Sequence, residues 1–155
     1  ATKTMTPTSI YRDFFRPVAE AVPGVKTVMF GDGSTVDRMT ADSRSADMYP
    51  CIFSLRPRYR MHDNGAHNYL AFFEAVFYVF VPAPVDDYGA QDAAYDQAEQ
   101  MALAVLQQFK DGDGEACILE TNTIECEPVS MMTVDPLSAY EVKLKLALPV
   151  ASVFN

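Results

Sequence analysis

Tryptophan is absent from this chain of 155 residues, histidine occurs twice and cysteine three times. The cysteines, Cys51, Cys117 and Cys126, are odd in number, far apart and without a CxxC pair. They supply neither a disulfide framework nor a zinc spacing, and they point to a reducing compartment. The opening Ala1-Thr2-Lys3-Thr4 lacks the apolar core of a signal peptide, so no secretion is expected. The longest apolar stretch, around Tyr69–Pro84, is broken by Glu74 and ends in prolines, too short for a transmembrane helix. No GxGxxG, Walker A, HExxH or GxSxG is present, which lowers the expectation of an enzyme and names no cofactor.

Positive charge is missing from a long stretch. No Lys or Arg occurs between Arg60 and Lys110. Residues 1–60 carry nine basic against six acidic side chains, net +3, and residues 61–155 carry three against fifteen, net −12. The total of −9 disfavours non-specific binding to nucleic acid or an acidic membrane, which need a basic surface. The asymmetry has a plain reading, a solvated acidic face. It also has a sharper one, a head-to-tail self-interface in which a basic patch meets an acidic patch on the next copy.

What is present describes one globular domain, 1–155, with a flexible start over 1–6. At 49% hydrophobic and 21% charged the composition is globular. A chain of this length buries roughly 70% of its unfolded surface, enough to need no staple. Thr6-Pro7 reads as an N-cap and first helical position, with Ile10, Phe14 and Val18 at helical spacing and Pro17 kinking or ending the helix. Val25–Phe30 reads as a short strand and 34–47 as a long polar loop. Tyr49–Tyr59 reads as one strand whose Pro50 and Pro57 imply an edge or a bulge. His62–Asn68 is a hairpin loop with an Asn-Gly step.

Tyr69–Val81 is the strongest strand. Its odd positions are wholly apolar, and its even ones interrupt Leu70, Phe72, Val76 and Phe80 only with Glu74 and Tyr78. Such a strand is central and covered on both sides, or turns its second face to another subunit. Asp86–Phe109 holds the best helix, with Tyr95, Ala98, Ala102, Val105 and Phe109 in one stripe, and Gly112 stops it. Ala116–Pro128 reads as a strand and Val129–Ala139 as a connection. Tyr140–Val150 is an alternating strand with Glu141, Lys143 and Lys145 opposite its apolar side. The order predicts an α+β fold: a mostly antiparallel sheet with the long amphipathic helix on one face and a short N-terminal helix.

Each candidate for chemistry has a plainer alternative. His62, His67 and Asp63 share a loop but match no metal spacing. Asp111-Gly112-Asp113-Gly114-Glu115 resembles a calcium loop superficially, yet a helix precedes it and a strand follows, so a tight turn is expected. Glu74, if buried, would be a general acid or base; otherwise it pairs with Arg56 or Arg58. The three cysteines fall in strands and read as buried structural thiols. Arg56, Arg58 and Arg60 alternate with Tyr59 among them, which suits phosphate recognition less well in so acidic a chain than contact with acids of a neighbouring subunit, with a simple solvent face as the plainer reading. The acids opposite are placed at the helix start, Asp86 and Asp87, or in the turn holding Asp111, Asp113 and Glu115.

The layout resembles that of tail-terminator, or tail-completion, proteins of tailed bacteriophages. The shared features are a short N-terminal helix with a Pro/Gly break, and a strand opening Tyr49-Pro50-Cys51-Ile52-Phe53. Next come the apolar strand Phe72–Val81 leading into the alanine-rich helix Asp92–Phe109, an acidic residue, Asp135, before the last hairpin arm, and a terminal strand from Tyr140-Glu141-Val142. The resemblance is one of ordered elements across residues 8–150; the loop 34–47 and the residues after Val150 have no counterpart. It implies a virion structural protein, assembled in the host cytoplasm. Such a protein forms a homo-oligomeric ring, commonly a hexamer, that caps the tail tube protein and meets the neck. DNA passes its lumen without specific binding, and no catalysis or cofactor is implied. Two alternatives stay open: another head–tail connector component, or a small ligand-binding or enzymatic domain with Glu74 in a pocket.

Overall fold

The computed structural model describes residues 5–32, 48–63, 65, 69–84, 86–111, 118–132 and 136–154. In chain order the elements are α1 (Pro7–Glu20), β1 (Thr27–Gly31), β2 (Cys51–Leu55), β3 (Arg58–Asp63) and β4 (Tyr69–Pro82). They continue with α2 (Tyr88–Asp111), β5 (Ile118–Met132), β6 (Pro136–Pro149) and a 3-10 turn, Ala151–Phe154. Among the described residues the fold is α+β, with two helices and a mixed sheet of six strands, five of them ordered β1-β2-β4-β6-β5. β3 joins β4 beside β2, on the same edge of that strand. β1 lies parallel to β2, and the other pairings are antiparallel.

α1 begins where the sequence places its cap. Thr6 Oγ1 accepts from Ser9 N at 3.1 Å, and Ser9 Oγ accepts from Thr6 N at 3.0 Å, a reciprocal capping box. Pro17 does not end this helix, which runs on to Glu20. One proline forfeits a single backbone bond, and the last turn is held by Ala21 N donating to Pro17 O and by burial of Ala19 and Val22. The buried stripe is also rotated by one residue. Tyr11, Phe15 and Ala19 are fully buried, while Ile10, Phe14 and Val18 are only partly so.

The expected single strand 49–59 is two strands. Arg56-Pro57 separates β2 from β3, and Pro50 precedes β2. Because β2 lies between β1 and β4, both its backbone edges are used, and both prolines sit outside the ladder that they could not donate to. His62 and Asp63, expected in a loop, end β3 instead, opposite Leu70 and Tyr69. Asn64 and residues 66–68 lie outside the described residues, as does the whole of 34–47.

β4 runs Tyr69–Pro82 and carries the sheet. Its odd residues Ala71, Phe73, Ala75, Phe77 and Val79 share one hydrophobic cluster with Val142, Leu144, Leu146 and Leu148 of β6 and with Tyr11 and Phe15 of α1. Ala98, Met101, Ala102, Val105 and Phe109 of α2 belong to the same cluster. Phe15 is its hub, with ring centroids 5.5 Å from Phe77, 5.8 Å from Phe30 and 6.0 Å from Phe109. Burying one such side chain contributes roughly 1.5–3 kcal/mol.

The last two strands are longer than the sequence pattern indicates. β5 continues through Pro128 to Met132 and β6 starts at Pro136, so the expected connection 129–139 is largely hairpin. A bulge between Glu120 and Glu125 shifts the register. Thr123 fastens it, donating to Glu120 O at 2.6 Å and accepting from Lys145 N at 3.0 Å. The bulge adds residues to β5 without ending its pairing with β6. Among the described residues no helix is long and apolar enough to cross a membrane.

Candidate functional site

The even-numbered side of β4 is built as rows running across four strands. Cross-strand partners share a face, so the register places Arg58, Glu74, Lys145 and Glu120 in one line through β3, β4, β6 and β5. Charges alternate along that line. Arg58 Nη1 lies 3.8 Å from Glu74 Oε2, and Lys145 Nζ lies 3.9 Å from Glu74 Oε1. Glu74 is thus an exposed carboxylate between two cations, half accessible at 52%, and not a buried acid. Pairing with Arg58 matches the plain expectation for it.

The next row is Arg60, Phe72, Ala147 and Ile118. It is apolar beyond the arginine. Ile118 is 48% exposed and Phe72 half-buried, with the His62 ring standing edge-on to Phe72 at 5.8 Å. A cleft of about 380 Å³ is lined by Arg58, Arg60, Phe72, Glu74, Glu120 and Lys145 among others; Ile118 and Ala147 lie outside its lining.

On the other side of the charged row, Val76 pairs with Lys143, and Lys143 with Glu125. Tyr78 pairs with Glu141, donating to its Oε2 at 2.6 Å, and Lys143 Nζ lies 3.5 Å from Glu141 Oε1. At the far end the same face becomes apolar. Cys51, Phe53, Phe80, Leu137 and Ala139 form a second cluster with Tyr49, joined by Met29, Met48 and Val129.

The predicted contact residues divide as follows. Arg58 and Arg60 share a face of β3 and are exposed. Arg56 is exposed too, but it sits in the link before β3, where its N donates to Gly31 O at 2.8 Å, and it is not part of their row. Asp86 and Asp87 precede α2 and are exposed; Asp87 Oδ1 accepts from Ala90 N at 3.0 Å, the cap that starts the helix. Asp111 closes α2 and is exposed. Asp113, Glu115 and Gly112 lie outside the described residues.

His62 is exposed on β3, Asp63 Oδ1 accepts from Gly65 N at 2.8 Å, and His67 lies outside the described residues. Among the described residues no group of three or more His, Cys, Asp or Glu side chains is arranged to hold a metal.

The cysteines are not alike. Cys51 is fully buried, and burial pushes its thiol up to about 12. Cys126 is exposed on β5, against the expectation of a buried thiol; among the described residues that strand pairs with β6 alone. Its thiol is raised by partial burial and by the Glu99 carboxylate. Cys117 lies outside the described residues.

Sequence reasoning missed Lys145, Glu120, Phe72 and Ile118 as neighbours of the arginines. The alternation Glu141-Lys143-Lys145 was visible, but which residues stand opposite it depends on register. Compared with protein-family models and with curated proteins, the chain matches neither.

Proposed function

We propose that this chain is a self-assembling structural subunit of the tail-terminator kind. It forms a homo-oligomeric ring, probed first as a hexamer, that caps a tail tube and joins it to a neck. In this reading the long helix α2 covers one face of the sheet and the charged face is left for a neighbour. The site does positioning and not catalysis, the ring belongs to the virion, and an acidic lumen repels the phosphates of passing DNA.

One observation carries it. Arg58 and Arg60 stand exposed on the sheet, while Asp86, Asp87, Asp92, Asp96, Glu99 and Asp111 stand exposed on or beside α2. A single subunit thus presents unlike patches on different elements, the requirement for a heterologous contact that closes into a ring or extends as a filament. Arg58 has 88% of its side chain exposed and a long ion pair, so its guanidinium is accessible to an acid of another copy.

Light scattering of the purified chain over a concentration series, at low and high salt, tests the reading. A closed oligomer of about six copies that loosens with salt supports it. A single-chain mass under every condition counts against it.

The cleft of about 380 Å³ at Glu74 favours a second reading, a ligand-binding domain for a small anionic molecule held between Arg58, Arg60 and Lys145. Calorimetric titration with inorganic phosphate and acetate, both silent, would dismiss it.

A further inference from the structure

The apolar row beside the charges is the part of this face that ion pairing does not explain. Ile118 and Phe72 leave hydrocarbon accessible between Arg60 on one side and the Lys145–Glu74 pair on the other. An apolar floor with a cationic rim selects an occupant that is apolar at its centre and acidic around it.

The chain carries such a surface itself. Leu103 is 51% exposed on α2, on the side opposite Ala102, Val105 and Phe109, which are buried. Asp92, Asp96 and Glu99 precede it at steps of four, three and four residues, which set all four side chains in one exposed stripe, on the side of α2 where Glu99 also acts on Cys126 and Tyr140 of the sheet. All three acids are exposed. No basic residue occurs in α2 before Lys110, so the stripe around Leu103 is acidic and free of compensating charge from its own helix.

From this complementarity we infer that the sheet face carrying Phe72 and Ile118 docks the outer stripe of α2 from a second copy, with Leu103 as the apolar anchor and Glu99 or Asp96 against Arg60. The inference rests on the self-assembly reading and names the two surfaces that meet. Because this sheet face and the stripe lie on different elements, each copy offers both halves of the contact, and association is head to tail.

Leu103 and Ile118 are both surface residues, so substituting them leaves the core intact. The test is the mass of the full chain by light scattering at low salt for wild type, Leu103→Asp, Ile118→Asp, Arg60→Glu and the pair Arg60→Glu with Glu99→Arg. Thermal unfolding is monitored to verify the fold. The expected result is an oligomeric wild type, loss of at least tenfold in association for each single variant, and recovery in the charge-swapped pair. An oligomeric wild type whose mass is unmoved by Leu103→Asp and Ile118→Asp overturns this contact and leaves self-assembly standing. A monomeric wild type at all concentrations overturns both.

Discussion

The hydroxyls of Tyr11 and Ser54 lie 2.7 Å apart, with both residues wholly buried. The bond ties α1 to β2 across 43 positions of sequence, in a region otherwise held by aromatic packing: the Tyr11 ring lies 5.7 Å from Phe15 and 5.5 Å from Phe73. Ser54 keeps a longer contact to Leu55 O at 3.2 Å. Tyr11→Phe retains the ring and removes the partner. The expected cost is about 1–2 kcal/mol, the usual penalty for half of a buried hydrogen bond. Urea unfolding with an unchanged slope reads this directly; a loss below a few tenths would mean that the two hydroxyls do not depend on each other.

Burial also sets the alkaline limit of stability. Burial raises the Tyr11 phenol well above its usual value of 10.0, offset in part by the Ser54 hydrogen bond. Burial pushes the Cys51 thiol from 9.0 to about 12. In both cases the folded state holds its proton where the unfolded chain has released it. Stability from these groups is therefore complete below pH 9.0 and falls as pH rises, first for Cys51 and then for Tyr11. Each group tilts the curve by about 1.4 kcal/mol per pH unit once its unfolded form ionises. Denaturation midpoints taken from pH 8 upward should fall, and Cys51→Ala should flatten the first part of that fall. A flat curve in the wild type would contradict the assignment.

Phe15 joins three elements to α1 through its contacts with Phe30, Phe77 and Phe109. Phe15→Ala leaves a cavity that these rings cannot close without moving strands, so a loss of about 3–5 kcal/mol is expected. Phe14, only partly buried and stacked on Phe109 at 5.1 Å, should cost distinctly less when truncated. Equal losses at the two positions would place the buried stripe of α1 where the sequence spacing had put it.

That comparison shows where legibility ends. The two long patterns, β4 with its two apolar parities and α2 with its alanine-rich stripe, are readable because periodicity reports which side is buried. α1 is misread by one residue because Ile10, Phe14 and Val18 have the same spacing as Tyr11, Phe15 and Ala19, and only packing decides between them. β5 is misread at its end because Pro128 looks like a strand terminator, while pairing with β6 continues from Val129 to Met132. At the candidate site, the shared face of Arg58 and Arg60 follows from strand geometry. Lys145 beside Glu74 does not, since it depends on how β6 registers against β4.

Cysteine chemistry offers a check on the sheet order. Cys126 is exposed on β5, and Cys51 is enclosed between β1 and β4. A thiol reagent should label Cys126 in the native protein and reach Cys51 only on unfolding, with rates separated by at least tenfold. Labelling should be slower than for a free thiol, because burial and Glu99 hold the Cys126 thiol in its protonated form. Glu99→Gln should speed it. Rapid native labelling at Cys51 would mean that β2 is not interior.

Charge reversal at Arg58 separates folding from assembly. Its pair with Glu74 spans 3.8 Å between side chains 88% and 52% exposed, a geometry worth about 0–1 kcal/mol to the fold. Arg58→Glu sets a carboxylate opposite Glu74, but Lys145 remains on the other side of Glu74 and keeps one favourable contact. The unfolding midpoint should hardly move. In the proposed assembly the exposed arginine attracts an approaching acidic surface, and its reversal turns attraction into repulsion. The variant should associate more weakly than wild type at low salt. The difference should shrink toward 1 M salt, where the screening length falls to about 3 Å. A variant that assembles like wild type at low salt would remove Arg58 from the interface, while a variant that unfolds early would show that the row of alternating charges contributes more to the sheet than its exposure implies.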